Sequence, residues 1–190
     1  MGRPRNFDEA EALQGIMQVF WRYGFSATST KMLEEATGIG VRGMANVFGD
    51  KEAIFLKALE AYHQMAAGLI AQIFAPPSLD AAIMLFTSLK TETDTPEDMA
   101  NCGCLMVNTV FELGRTSDKI RKKVEVYRQM WRETFLQAAK NDGVTKPEER
   151  AEFLITLLWG ALSQIRLSGS TTAAAPMADV AVETIKSWKA

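Results

Sequence analysis

Between a Gly49-Asp50 turn and the Pro76-Pro77 pair, apolar residues recur at the spacing of one helix face: Ile54, Phe55, Ala58, Leu59, Tyr62, Met65, Leu69, Ile70 and Ile73. Asp50 supplies an N-cap, and the prolines stop the helix near Phe74. Such a helix is roughly 36 Å long at 1.5 Å per residue, enough to join two domains. The rest of the chain keeps the same period. A first helix opens on the capping-box pattern Asp8 and Glu11 and carries Leu13, Ile16, Met17 and Phe20 before Gly24. A short second helix starts from Thr28 or Ser29 as N-cap and ends at Gly38, and a third spans 41–48. Beyond the long helix, Ser78 caps a fifth with Ile83, Phe86 and Leu89, and a polar loop follows over 91–101. A sixth runs from Cys104 to Gly114, a seventh over 117–141, an eighth from Pro147, and a short ninth from Pro176 to Trp188. Runs alternating β-branched with polar residues are absent, so the chain reads as all-α.

Several classes drop out. The 47% hydrophobic content excludes disorder, and no run approaches the roughly 18 apolar residues of a membrane span. The polar, basic start Met1-Gly2-Arg3-Pro4-Arg5 lacks an apolar segment behind it, so the expected location is cytoplasmic. Two cysteines one residue apart make no disulfide framework and suit a reducing compartment. His63 is the single histidine, so no Ser-His-Asp or Cys-His arrangement is recognisable and two thiolates do not complete a tetrahedral metal site. Neither enzymatic activity nor a metal nor another cofactor is expected. A net charge of -2 argues against a generally basic nucleic-acid coat protein. Residues 1–62 hold seven Lys and Arg against eight Asp and Glu, so any DNA affinity must come from placement.

Two short helices joined by a Gly-containing turn, after one longer helix, make a tri-helical helix-turn-helix. The residues filling it are Phe20, Gly24 and Phe25, then Thr28-Ser29, Leu33, Ala36-Thr37-Gly38-Ile39, and finally Phe48-Gly49-Asp50-Lys51-Glu52-Ala53. This ordered set, over residues 3–62, resembles the DNA-binding domain of the tetracycline-repressor (TetR) family. The helix count and chain length are also those of that family. The resemblance implies a helix-turn-helix DNA-binding domain over 1–50 and a C-terminal effector-binding and dimerisation domain over 51–190. It further implies a homodimer formed by the last two long helices, with Leu154, Leu158 and Leu162 as the stripe between protomers, bound to double-stranded, palindromic operator DNA.

The residues make physical sense of that implication. The 41–48 segment is small on its outward face through Gly43 and Ala45, so its backbone can sit close to base edges, with Arg42 and Asn46 able to read guanine and adenine. Thr28 and Ser29 offer hydroxyls and a helix N-terminus to a phosphate, and Lys51 adds a charge at the next helix start. Arg3 and Arg5 flank Pro4 on an arm suited to an adjacent minor groove. The chain departs from the family at Ala45, where an aromatic is common, and at Gly40 or Gly43, where a small hydroxyl residue is frequent. One phosphate contact is expected to be missing. Each glycine weakens a short helix by roughly 0.5–1 kcal/mol against Ala.

Other signals have two readings. Gly38-Ile39-Gly40-Val41-Arg42-Gly43 matches a dinucleotide-binding glycine pattern, but it follows a helix rather than a strand and reads as the helix-turn-helix turn. Cys104 is either a small buried core residue or a helix-start thiol of raised reactivity, with Cys102 as resolving partner. Its surroundings resemble the Gly-Cys-Leu segment of TetR members that sense electrophiles or oxidants. Phe111, Tyr127, Trp131 and Trp159 line either a core or an effector cavity. Asn108 and Glu112, four apart, either orient a ligand or form a solvated face, and Arg121-Lys122-Lys123 reads as solvated. The expected function is a transcriptional repressor released by a small-molecule effector or by modification of Cys104. The competing expectation is a small-molecule-binding dimer that has lost specific operator binding.

Overall fold

The computed structural model describes residues 7–93, 95 and 98–189. Among them are nine α-helices, two 3-10 turns and no strand. The first helix, α1, covers Glu9–Ala27, with the Asp8 carboxylate accepting from the Ala10 and Glu11 N–H groups. It does not stop before Gly24 but breaks there, at φ 79° and ψ 177°, and resumes for one turn. Helix α2 is Thr30–Thr37 and α3 is Val41–Phe48. Ser29, not Thr28, caps α2, accepting from the Met32 N–H at 3.2 Å.

These three helices close around Ile16, Phe20, Leu33, Ile39, Met44 and Phe48, all buried. The core runs on without interruption into α4, Lys51–Ile73, through Ile54, Phe55, Ala58 and Leu59. Phe20 and Phe55 meet edge to face at 4.8 Å between ring centres. Burying one such side chain stabilises by about 1.5–3 kcal/mol. The N-terminal unit is therefore welded to the first turns of α4.

Helix α5 is Leu79–Ser88, α6 is Leu105–Leu113, α7 is Asp118–Asn141, α8 is Pro147–Ser168 and α9 is Ala175–Lys189. The 3-10 turns are Met99–Cys102, before α6, and Thr171–Ala174, before α9. Helix α7 packs along α8, α5 against α9, and α6 between α1, α7 and α8. Phe74, Phe86, Trp131 and Phe135 fill the centre of this bundle. No helix among the described residues is long and apolar enough to cross a membrane.

One expectation is corrected here. Leu154 and Leu158 are 0% and 2% exposed within the single chain, so they belong to its own core and offer nothing to a second protomer. The outward side of α8 carries Phe153, Thr156, Gly160, Gln164 and Leu167 instead, beside the exposed Val180 of α9. The periodicity that marks α8 as amphipathic does not say which helix covers its apolar face, and α7 covers it.

Candidate nucleic-acid interface

Helix α3 is held by two anchors, Met44 and Phe48, four residues apart and 3% and 4% exposed. That spacing turns the opposite face outward, where Val41, Arg42, Ala45 and Asn46 are all exposed. Gly43 is half-buried beside Ile39, whose Cγ2 would lie 3.1 Å from a Cβ at that position, so it serves the α2–α3 turn more than the outer face. Gly40 is the N-cap of α3 and makes no side-chain cap.

Ser29 is exposed at the start of α2, and its hydroxyl caps the helix whose N-terminus faces outward. Lys31, on the same helix, forms an exposed pair with Glu35 at 3.7 Å, which holds it only weakly. Thr28 is corrected: it is 1% exposed, and its hydroxyl donates to the Gly24 carbonyl at 2.6 Å. That hydrogen bond serves one of the last carbonyls of α1, and the side chain points inward. Lys51 stands over the Phe25 ring, 4.6 Å from its centre, at the start of α4. Arg3 and Arg5 lie outside the described residues. Arg42 and Asn46 thus share one exposed face, with Ser29 and Lys51 on neighbouring helix starts.

The expected effector residues come together only in part. Cys104 is the N-cap of α6, is 1% exposed, and its thiol donates to the Tyr127 hydroxyl at 3.6 Å. Tyr62 stacks obliquely on Tyr127, with ring centres 5.9 Å apart. Burial pushes both phenols well above their ordinary range, and the neighbouring Cys104 adds to the shift. Trp131 lies one turn further along α7, packed on Phe74 and Phe135. Trp159 sits elsewhere on α8, beneath Arg128, with its indole N–H buried and unpartnered. Phe111 is 79% exposed and so lies at an open surface, not inside the bundle.

Asn108 donates to the Cys102 carbonyl at 3.0 Å. It and Phe111 border an open cleft of about 390 Å³ together with Tyr23, Gly24, Glu112 and Arg166. Glu112, on the same cleft, reaches the end of α1, as does Arg166 from α8. No local pattern marks these two, because their partners lie 87 and 144 residues away. Of the basic run on α7, Arg121 and Lys122 are exposed, and Lys123 pairs with Glu60 of α4.

Known proteins share this arrangement. Residues 12–58 match the family model described as bacterial regulatory proteins, tetR family, and residues 85–181 match that of the tetracyclin repressor-like C-terminal domain. The HTH-type transcriptional repressor ComR of Escherichia coli K12 is 29% identical, over 98% of this chain and 91% of that protein. A cysteine mutant of the TetR family regulator CifR, solved with 26-base-pair operator DNA, superposes with a TM-score of 0.77 at 26% identity, covering 98% of this chain and 100% of that one. A TetR family regulator from Cytophaga hutchinsonii has the same fold, with a TM-score of 0.80 at 20% identity over 94% of this chain and 93% of its own. The helix-turn-helix at one end and the helical bundle at the other each match their model, and the chain belongs to the tetR family of bacterial regulatory proteins.

Proposed function

We propose that this chain, a DNA-binding transcriptional regulator, acts as a homodimeric repressor. Residues 1–50 bind a palindromic operator, and residues 51–190 dimerise and sense. The observation that carries the reading is the outward face of α3, where Arg42 and Asn46 stand clear of the core on a helix pinned from behind by Met44 and Phe48. Arg42 and Asn46 read base edges in the major groove, while Ser29 and Lys51 contact phosphates. Two such faces related by two-fold symmetry require a palindrome. The exposed stripe of α8 and α9, with Phe153, Leu167 and Val180, is the surface offered to the second protomer.

Release follows when an effector stabilises a dimer whose recognition helices no longer match successive grooves. Two triggers fit the sensing half: a small molecule in the cleft beside Asn108, or modification of Cys104. The burial of Cys104 favours the small molecule, because a thiol must be accessible to react. The competing role, a binding dimer without a specific operator, draws on the exposed Ala45 and the uncapped start of α3.

The deciding experiment is fluorescence anisotropy on DNA flanking the protein's own gene, against scrambled DNA, across a salt series and with and without a mild thiol oxidant. Preference for the flanking DNA supports the repressor. Loss on oxidation, reversed by reductant and absent in Cys104→Ser, assigns the trigger to the thiol. Equal affinity for both DNAs transfers the assignment to the binding dimer.

A further inference from the structure

Helix α1 breaks at Gly24. In an unbroken helix the Phe25 N–H would bond the Trp21 carbonyl, and the Ser26 N–H the Arg22 carbonyl. At φ 79° and ψ 177° the ladder cannot run through Gly24, and the two donors and two acceptors of these rungs are among the groups that come free. Side chains from the C-terminal half take all four. The Glu112 carboxylate of α6 accepts from the Phe25 N–H at 2.8 Å and the Ser26 N–H at 2.5 Å. The Arg166 guanidinium of α8 donates to the Arg22 carbonyl at 2.9 Å and the Trp21 carbonyl at 3.4 Å. An acid has gone to the donors and a base to the acceptors, so each half of these two rungs is satisfied by the charge that suits it. Glycine is required at the centre because φ 79° with ψ 177° is backbone that essentially only glycine adopts.

We propose that Glu112 and Arg166 are positioning residues for operator binding. By holding the break open, they fix the direction in which the chain leaves α1 for α2 and α3, and hence the separation of the two recognition helices in the dimer. The inference rests on the reading of this chain as an operator-binding dimer. Its distinct content is that the head is set by two side chains that never approach DNA. The clasp also faces the sensing half. Glu112 lies eight residues along α6 from Cys104, about 12 Å at 1.5 Å per residue. Next to the clasp, the Trp21 indole N–H donates to the Gly103 carbonyl at 3.0 Å, immediately before Cys104. A shift of α6 or α8 therefore reaches the head through the clasp.

The test uses the full-length protein and duplexes of the gene-flanking DNA with one or two base pairs inserted or removed at the dyad. Wild type is expected to prefer one spacing by at least tenfold. Glu112→Ala and Arg166→Gln are expected to bind the native duplex at least tenfold more weakly and to lose or move that optimum, with helicity by circular dichroism retained. Glu112→Gln, keeping one acceptor oxygen, is expected to fall between. A merely structural role would weaken all spacings alike. Unchanged optimum and affinity within twofold in both variants would overturn the proposal. Should wild type show no preference over scrambled DNA, the operator reading fails, and amide hydrogen exchange still decides the clasp: Phe25 and Ser26 are expected slow in wild type and much faster in Glu112→Ala. Equal exchange would overturn it. If Glu112→Ala does not fold, Glu112→Gln and Arg166→Lys carry the same measurements.

Discussion

Replacing Gly103 by alanine probes how closely the segment between the Met99–Cys102 turn and α6 approaches α8. Gly103 adopts φ 67° and ψ -135°. A Cβ built on it would lie 2.5 Å from the Leu162 carbonyl oxygen and 3.2 Å from the Arg166 Cβ, both on α8. The first neighbour is helix backbone, which cannot step aside as the end of a flexible side chain can. Two costs add. An L-residue held in this part of backbone space is destabilised by about 1–3 kcal/mol. Wedging a methyl group between packed elements costs about 1–3 kcal/mol more. A central figure of about 4 kcal/mol is a large fraction of the 5–15 kcal/mol typical of a folded domain. For a chain of this size it lowers the melting midpoint by roughly 8–16 °C. Thermal unfolding followed by circular dichroism measures it. Gly169→Ala is the control, because Gly169 has φ 70° and nothing within 4 Å of the added atom; about 1–2 kcal/mol is expected there. If the two variants melt within about 2 °C of each other, the close approach to α8 is not the source of the constraint, and the argument fails.

Lys51→Ala, on a dimer with one phosphate contact per protomer, is expected to reduce the slope of log affinity against log salt by about 1.8, from 0.9 per contact. Arg42→Ala is expected instead to cost about 1–3 kcal/mol per half-site and to relax the preference for guanine at one position, which binding to a panel of single-base operator variants would reveal. Ser29→Ala removes the acceptor that caps α2 and is expected to lower stability by about 1 kcal/mol, whereas Ser29→Gly loses only a few tenths; thermal melts of the pair separate capping from phosphate contact. The last prediction concerns acid. Burial raises the Glu112 carboxyl, but the Ser26 hydroxyl, the Ser26 and Phe25 N–H groups and the charge of Lys51 outweigh it, so the group lies below its ordinary 4.5. Lys123 and Gln64 lower Glu60 in the same way. A depressed carboxyl gives stability that is fully present above its unfolded value and lost as pH falls through the folded one. Urea midpoints are therefore expected to drop below about pH 4.5, and Glu112→Gln should flatten that acid limb. Arg166 also faces Glu112 across the break, and a limb as steep in the variant as in wild type would remove Glu112 from the account.

Helix boundaries were legible wherever a cap or breaker sat next to the apolar stripe. The 41–48 expectation is α3 itself, and Asp50, Ser78 and Ser117 each accept from a backbone N–H at the start of their helices. These are local events, settled within four residues, and sequence spacing reports them directly. The continuation of α1 past Gly24 was hidden because the glycine reads as a terminator; whether the chain stops or resumes depends on Glu112 and Arg166, far along the sequence. Phe111 and Leu158 show a different limit. Periodicity assigns an apolar residue to a face, but only the packing of α6, α7 and α8 determines whether that face is covered.

The division of labour on α3 bears on how such a regulator acquires new targets. Two side chains, Met44 and Phe48, fix the helix, and the four exposed positions between and around them are free of the core. Substitutions at exposed sites usually change stability by no more than about 0.5 kcal/mol. On the proposed role of that face, its alphabet can thus be rewritten one residue at a time while the fold keeps its margin. A lineage carrying this head can drift to another operator without passing through an unfolded intermediate.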